Sequence, residues 1–415
     1  MKAKYFKSIR FILIVLLSFP LLVGAQVSND YFTITGIVKD QRSKKKLEYV
    51  TVSIMGTNVG TITNTDGTFS IKVKESLNAK FLEVSHIGYS NKLVPIDKSA
   101  TENITVFLIA GDKKLKDVIV QPLEAKELVR NAISKIADNY SAEPNLLTGF
   151  YRETVKKRRN YINISEAIIN VYKTSYDKGY ERDNVQVYKG RKLLSPKVGD
   201  TLAVKFLGGP NLSTYLDVVK NSDLMLTEES LPFYKFGMGE SVMINERPHY
   251  IVNFEPQVIL PYPLFYGKLY IDKETLTFSR AEFELDMDDK NKATQAILRK
   301  KPFNLRFKPE EVSYLVTYKQ QNGRSYLNYI KNEVQFKCDW KRRLFSTNYT
   351  IVCEMVVTDR KVDDVEKISR KMTFNPNQSL SDKVSNFYDD NFWENYNIIE
   401  PTESLESAVK KLKKQ

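Results

Sequence analysis

Apolar and polar residues alternate along most of the chain between Phe32 and about Ala110. The segments YFTITGIVKD, EYVTVSIMGT, KFLEVSHIGYS, KLVPID and ENITVFLIA each show the two-residue period of a half-buried β-strand. Glycine and aspartate interrupt them at intervals of roughly 8 to 12 residues, which is typical of short strands joined by tight turns. The pattern predicts a seven-stranded antiparallel β-sandwich over residues 27–112.

Inside this region, residues 58–73 (NVGTITNTDGTFSIKV) place an alternating stretch on each side of a polar turn. The turn, Asn64–Gly67, contains Asp66 and Gly67, which tolerate the positive φ angles that a tight reversal needs. We therefore interpret the segment as a β-hairpin. A small metal or ligand site at Asn64 and Asp66 is the alternative interpretation of the same residues.

The period changes to that of a helix after the sandwich. We predict a linker helix at residues 121–140, with Pro122 in its first turn, and we expect its apolar side to pack on the sheet that follows. Its apolar residues at helical spacing are Leu128, Val129, Ala132, Ile133, Ile136 and Ala137.

Long alternating segments return between residues 145 and 395, among them YGKLYIDKETLTFSRAEFELD. Short turns at Asp272–Thr275, Gln321–Gly323 and Lys341–Arg343 join successive segments, which predicts a large antiparallel meander with few helices. A C-terminal helix is predicted at 400–414, where acids open the segment and lysines close it. The fold class is therefore mainly β.

The first 25 residues have the organisation of a cleaved signal peptide. Four basic residues precede a mainly apolar run at 11–23, and Val23–Ala25 offers small residues for cleavage. We expect the mature chain to start at Gln26 and to be exported to the periplasm or the periphery of the outer membrane. An uncleaved N-terminal anchor is the alternative. No later segment of the sequence is long and apolar enough for a transmembrane helix.

The charge balance narrows the choice of partners. The leader holds four of the 63 basic residues and none of the 50 acidic ones, so the mature chain keeps an excess of nine positive charges. This excess of positive charge favours binding to anionic surfaces such as lipid headgroups or polysaccharide. It does not by itself indicate binding to nucleic acid. The 24 tyrosines and 22 phenylalanines either pack the large sheet or form a concave face that binds an apolar or sugar ligand.

The turns of the first region resemble the carboxypeptidase regulatory-like domain, a small transthyretin-like sandwich. That resemblance implies the sandwich fold and an exported protein of Bacteroidota, where the domain also begins TonB-dependent outer-membrane transporters. The matching residues are Gly36–Val38, Leu47–Val52, Gly56–Thr57, Gly60–Thr61, Thr65–Phe69 and Ile87–Tyr89.

Two weaker resemblances concern the second region. The segment GKLYIDKETLTFSRAEFEL, in a meander crossed by a helix, resembles the curved half-barrel sheets of periplasmic lipoprotein carriers. The residues Gly149–Glu153, Gly208–Pro210 and Phe392–Trp393 resemble an uncharacterised Bacteroidota family that carries the same leading sandwich. Both imply a fold and no particular activity.

The sequence carries no recognised catalytic motif. A zinc carboxypeptidase needs two histidines and an acid at the metal, but the mature chain has only His86 and His249, and neither is followed by glutamate three residues on. The chain also lacks G-x-S-x-G, P-loop, G-x-G-x-x-G and C-x-x-C motifs. We therefore predict no catalytic residue, no cofactor-binding residue, no cofactor and no metal ligand set.

The two cysteines and an acidic segment each allow two structural interpretations. Cys338 and Cys353 lie on the apolar sides of their predicted strands, either as buried thiols or as a cross-strand disulfide. Residues 286–291 (DMDDKN) form either a solvated turn or a calcium loop, although the glycine and the closing glutamate of an EF-hand are missing.

These observations favour a non-enzymatic exported envelope protein. We expect the sandwich to act as a docking or spacer module and the large sheet to bind a hydrophobic ligand, a lipid or an outer-membrane partner through an apolar concave face left open as a groove. The alternatives are an unrecognised envelope hydrolase and an accessory component of a TonB-dependent uptake system.

Overall fold

A computed structural model describes residues 31–111, 124–178, 181–200, 202, 204–206, 208–340, 346–386 and 391–414. Seven strands precede residue 112 and form two sheets, with orders β4-β1-β7 and β3-β2-β5-β6, around a shared apolar core. The strands are β1 (Tyr31–Asp40), β2 (Thr51–Ile54), β3 (Gly60–Ile62), β4 (Thr68–Lys74), β5 (Phe81–Ser85), β6 (Lys92–Pro95) and β7 (Ile104–Leu108).

The sandwich departs from a purely antiparallel arrangement at one pair. β7 lies parallel to β1, with Gly36 opposite Ile104. The chain reaches β7 from β6 in the other sheet, and such a crossing sets strand direction independently of any hairpin turn. Gly36 permits the close pairing, since a Cβ atom there would lie 2.5 Å from the carbonyl oxygen of Ile104.

The hairpin interpretation of residues 58–73 is wrong. The turn itself exists, with the Gly67 amide donating to the Asn64 carbonyl at 2.9 Å and Gly67 at a φ of 71°. However, β3 before the turn pairs with β2, and β4 after it pairs with β1, so the turn joins the two sheets. Turn residues specify a reversal of the chain, but the pairing partner depends on which core each strand completes.

Beyond residue 140 the strands form one large sheet of twelve, with order β12-β14-β15-β16-β18-β19-β20-β8-β9-β10-β21 and β13 beside β14. All pairs are antiparallel except β10 with β21, and the sheet does not close into a barrel. The strands are β8 (Asn145–Lys157), β9 (Asn160–Lys173), β10 (Asn184–Leu194), β12 (Tyr234–Met238), β13 (Val242–Ile244), β14 (Arg247–Pro256), β15 (Phe265–Asp272), β16 (Phe278–Leu285), β18 (Leu305–Gln321), β19 (Arg324–Trp340), β20 (Thr347–Lys361) and β21 (Ser385–Asn386).

A separate two-stranded pair consists of β11 (Lys205–Phe206) and β17 (Leu298–Lys300). With the large sheet, it confirms a mainly β fold built on a long antiparallel meander. The predicted turn at Lys341–Arg343 lies outside the described residues, as do the predicted leader and cleavage site.

The helices of the described chain are short. In place of one helix at 121–140, there are two, separated at Lys135, and Pro122 lies outside the described residues. The C-terminal helix extends over eleven residues, and its Thr402 hydroxyl caps it by accepting from the Leu405 amide. The helices are α1 (Ala125–Ser134), α2 (Ile136–Asn139), α3 (Pro210–Tyr215), α4 (Lys290–Ile297), α5 (Leu380–Lys383) and α6 (Glu403–Lys413).

The inner, apolar face of the large sheet is covered over most of its length. α1 places Leu128 and Val129 against it, and the segment at 216–231 adds further buried apolar side chains. Where these side chains cover the face, it does not form the open apolar groove that we expected. The cover comes largely from irregular chain, which helical periodicity does not reveal.

The outer face of the sheet carries the sandwich. Residues 391–400 lie between the two, and the Trp393 ring packs edge-on against Phe150 with centroids 5.4 Å apart. The Thr61 hydroxyl of the sandwich donates to the Ile398 carbonyl at 2.8 Å, and Asn58 donates to the Arg360 carbonyl at 2.9 Å. The sandwich is thus attached both to the sheet and to this C-terminal segment.

A buried ion triad lies beneath the C-terminal segment. Glu166 on β9 accepts from Arg152 on β8 at 2.8 Å and from Arg191 on β10 at 3.0 Å, and all three side chains are buried. The Arg191 guanidinium also lies 4.6 Å from the centre of the Trp393 ring. Each buried charge therefore has an opposite partner, as burial requires.

Candidate functional site: a basic sheet edge with exposed apolar loops

Alternate turns of an antiparallel meander lie at the same edge of its sheet. β8 ends and β9 begins at one edge, and the register places the start of β20, the end of β19 and the start of β18 beside them. The ends of β14 and β16 point in the same direction, although β16 reaches only Ser313 of β18, eight residues from the start of that strand. Lys292, in the segment between β16 and β18, contacts the loop that follows β14. We call this the basic edge and define it by residues 156–160, 257–264 and 286–308.

Two loops of the basic edge expose large apolar side chains. Ile259 is 93% exposed and Phe303 is 92% exposed, the two highest values among the large apolar residues of the described chain. Tyr262, in the same loop as Ile259, is also exposed. Single exposed apolar residues are ordinary, but several at one edge indicate a surface that meets an apolar partner.

The loop at 257–264 is held in place by contacts that leave Ile259 outward. Leu260 packs against the core of the large sheet, and its carbonyl accepts from the Lys292 ammonium at 2.7 Å. At the other end, the Gln257 amide donates to the Phe233 carbonyl at 2.9 Å. Two prolines within the loop further restrict its backbone. The apolar tip is therefore preformed.

Basic side chains flank the exposed loops. Lys308 pairs with Asp339 at 2.6 Å and Lys157 pairs with Asp200 at 3.0 Å, so acids compensate only part of this charge. Residues 297–308 contain five basic residues and no acid: Arg299, Lys300, Lys301, Arg306 and Lys308. The turn between β8 and β9 adds four more without an acid: Lys156, Lys157, Arg158 and Arg159.

The acidic residues at 286–291 serve the local backbone. The Asp289 carboxylate caps α4 by accepting from the amides of Asn291 and Lys292 at 2.9 and 3.2 Å, and Asp286 accepts from the Asp288 amide at 2.9 Å. In the described chain, no three or more histidine, cysteine, aspartate or glutamate side chains form a group that could hold a metal ion.

The sequence-predicted turn residues Asn64 and Asp66 hold the C-terminal segment. The Asn64 side chain donates to the Glu400 carbonyl at 3.0 Å, and the Asp66 carboxylate accepts from the Glu403 amide at 2.8 Å. The Oδ1 atom of Asn64, which a metal site would have used, accepts from the amides of Asp66 and Thr68 at 2.9 and 3.0 Å. The contacts with Glu400 and Glu403 add to the attachment of the sandwich described above.

His249 and His86 have different surroundings. His249 is buried in β14, where Nδ1 lies 2.8 Å from the Arg247 carbonyl and Nε2 lies 2.7 Å from the Ser279 hydroxyl. Burial lowers the pKa of His249. His86 lies in the sandwich and faces a cavity at the junction with the sheet. His249 lines a smaller cavity that adjoins this one and shares Arg247 and Ser279 with it.

Cys338 and Cys353 are free and buried. They lie on adjacent strands, but Cys338 faces Thr347 and Cys353 faces Asn332, so the register separates them. Burial raises the pKa of the Cys338 thiol to about 11 and that of the Cys353 thiol well above its ordinary value. Both thiols are therefore packed groups of the inner face rather than nucleophiles.

Glu153, on the same inner face, is a buried carboxyl with an altered proton affinity. Burial raises its pKa to about 7, and the Asp382 charge adds to the increase, whereas hydrogen bonds from the Tyr151 hydroxyl and the Leu380 backbone oppose it. An unfolded carboxyl titrates near 4.3. Between these values the folded chain binds more protons than the unfolded chain, so stability falls as the pH rises.

Glu153→Gln is expected to remove this pH dependence. Below about pH 3.5 the variant and the wild type should be similar in stability, because Glu153 is then mainly protonated in both the folded and unfolded states. From there to about pH 7 the variant should gain a few kcal/mol relative to the wild type. Urea unfolding between pH 4.5 and 8 measures the difference, and a constant difference would contradict the assignment.

No helix in the described part of the chain is both long and apolar enough to cross a membrane. The basic edge was not identified from the sequence, although two signals for it exist. First, apolar residues occupy the turn QVILPYPL, where polar residues are usual. Second, basic residues recur at alternate turns of the meander, which lie at the same edge of the sheet.

Comparison with known proteins identifies the first region. Residues 34–120 match the model of the CarboxypepD_reg-like domain. This confirms the resemblance predicted from the turn residues between Gly36 and Tyr89. TonB-dependent receptor P3 of Formosa agariphila is 30% identical over 106 residues, which cover 26% of this chain. The chain spans only 10% of the length of that relative.

Solved structures similar to this chain include a DUF1329 family protein from Desulfovibrio piger and a LolA superfamily protein from Nitrosomonas europaea. The first is 8% identical, covers 59% of this chain and 96% of its own, and has a TM-score of 0.28. The second is 11% identical, covers 59% of this chain and 96% of its own, and has a TM-score of 0.24.

Proposed function

We propose that this chain is a non-enzymatic envelope protein that docks on an anionic lipid surface through its basic edge. The observation that carries the proposal is the coincidence, at one edge, of two side chains more than 90% exposed, Ile259 and Phe303, with clustered basic residues. Apolar groups enter the headgroup boundary, and nearby lysine and arginine residues are attracted to anionic lipids.

In this proposal the sandwich is a docking or spacer module held away from the lipid surface. Its contact with Arg360, at the end of β20, lies at the edge opposite the basic edge. The CarboxypepD_reg-like match and the TonB-dependent receptor relative support an exported protein at the outer membrane, as does the signal-peptide pattern of the first 25 residues. No reaction is assigned to the chain.

A fluorescent reporter tests the docking geometry. Ile259→Trp, made in a Trp340→Phe background, places an indole at the exposed tip. Trp340 is removed because it is partly buried at the end of β19, beside the basic edge, whereas Trp393 is buried, so a change on binding reports the new residue. With vesicles containing phosphatidylglycerol, we expect a blue shift in emission and protection from aqueous quenchers, since the ring leaves water. Vesicles of phosphatidylcholine alone should give a much weaker response.

The matched control is Leu93→Trp in the same Trp340→Phe background, at an exposed position of β6 in the sandwich. This reporter should show no blue shift under the same conditions, because the sandwich stays in water. Equal shifts from both reporters, or none from Ile259→Trp with anionic vesicles, would refute docking through the basic edge.

A further inference from the structure

A cavity of about 200 Å³ lies where the sandwich meets the outer face of the large sheet. Its walls come from β2 and β5 on the sandwich side and from β16 and β18 on the sheet side. It contains no residue of the basic edge. It shares Tyr49 and Arg280 with an adjoining open cleft of about 1000 Å³, so a ligand can extend from one into the other. We call the smaller cavity the junction pocket.

Three polar groups at the junction pocket have no partner among the described residues. The Nδ1 atom of His86 and the Oδ1 atom of Asn91 are buried without a hydrogen bond. The ammonium of half-buried Lys319 makes neither a hydrogen bond nor an ion pair within the described chain, and burial lowers its pKa. Buried polar groups are normally satisfied, so unsatisfied ones around a cavity indicate a place for a polar ligand.

The charges around the junction pocket favour an anion. Lys319, Arg280 and Arg247 line it, and Glu83 is the acid among its lining residues. Arg247 pairs with Asp272 at 2.7 Å and Arg280 pairs with Glu282 at 2.5 Å. Lys319, by contrast, forms no ion pair or hydrogen bond within the described chain, and the acidic charge that acts on it is that of Glu83. Burial and the Arg280 charge lower the pKa of His86 to about 4, so its ring is neutral at neutral pH and available for hydrogen bonding.

We propose that the junction pocket binds a hydroxyl-bearing oxyanion, of the class of a sugar acid or a sugar phosphate. Lys319 supplies the positive charge for the carboxylate or phosphate, and a ring N–H of His86 supplies a hydrogen bond to it. The Asn91 oxygen accepts from a ligand hydroxyl. The remainder of the ligand lies in the adjoining cleft, which Tyr49, Lys268 and Lys331 line.

Isothermal titration of the mature chain with glucuronate, glucose 6-phosphate and glucose, at matched ionic strength, tests this binding. We expect at least one of the two anions to bind and glucose to bind at least tenfold more weakly. Binding of glucuronate alone identifies a carboxylate site, and binding of glucose 6-phosphate alone identifies a phosphate site. If neither anion binds, the proposal is overturned.

Lys319→Gln separates a ligand-binding role from a structural one. The variant should lose at least tenfold in affinity for the anion, while its ligand-free melting temperature should rise, because a half-buried cation without a partner in the described chain is removed. Lys235→Gln, at an exposed position of β12, should leave the affinity unchanged. An unchanged affinity in a folded Lys319→Gln variant would overturn the assignment. Lys319 and the other residues that line the junction pocket lie outside the basic edge, so loss of anion binding in this variant is distinguishable from loss of vesicle docking.

Discussion

Replacing Arg299, Lys300 and Lys301 together by glutamate is expected to release the protein from anionic vesicles. Each basic residue near such a surface contributes about 1 kcal/mol, so the loss of three attractions weakens binding by about 3 kcal/mol, or roughly 100-fold. The new negative charges add repulsion. The three side chains are exposed, so the fold should persist, and sedimentation with phosphatidylglycerol vesicles measures the affinity.

The chain offers a matched control in Lys44, Lys45 and Lys46, three consecutive exposed lysines in the sandwich. Their replacement by glutamate changes the net charge by the same amount but at a site away from the basic edge. Salt screens charges separated by more than about 8 Å at physiological ionic strength, so this triple should bind vesicles within a few-fold of wild type. Equal losses from both triples would show that net charge alone drives binding.

Glu166→Gln is expected to destabilise the folded chain by about 3–5 kcal/mol, because it breaks a buried ion pair by removing one partner's charge. Arg152 and Arg191 would both keep a hydrogen-bonding neighbour but lose the carboxylate between them. Since Trp393 packs over Arg191, its fluorescence reports unfolding at this place. Urea unfolding of the mature chain, followed by this signal, measures the free energy of unfolding.

Glu255→Gln supplies the comparison on the same sheet. Glu255 pairs with Lys235 at 3.1 Å, and both side chains are well exposed. Exposed pairs contribute about 0–1 kcal/mol, so the free energy of unfolding should change by no more than that. A Glu166→Gln variant as stable as the Glu255→Gln variant would show that the buried triad contributes little to stability.

The sequence predicted the strands well because their signal is local. Residues alternate with period two wherever one face of a strand is buried, so β18 and β19 could be recognised from their own residues. The pairing of β3 and β4 could not, since the Asn64–Gly67 turn fits both a hairpin and a link between sheets. The cover of the inner face was also missed, because the segment at 216–231 is buried without regular periodicity.

The candidate site was predicted only in its general chemistry. The basic excess of the chain favoured an anionic surface, but the residues that form it are separated by more than 100 positions, from Arg158 to Arg299. Only the meander brings their turns to one edge. The pocket at His86 could not be predicted, because the sandwich sequence alone does not show that Lys319 of another sheet lies at the same pocket.

The position of the C-terminal segment has a consequence for the order of folding. The sandwich has a core of its own residues, yet Thr61 bonds to Ile398, 337 positions further along the chain. Contacts between such distant positions form late, after the intervening chain has been ordered. During synthesis from the N-terminus, the sandwich can therefore form its contacts with residues 391–403 only after the chain of the large sheet has been made. Until then, the apolar side chains of Ile62 and Phe150 are exposed to water, where they can bind chaperones or promote aggregation.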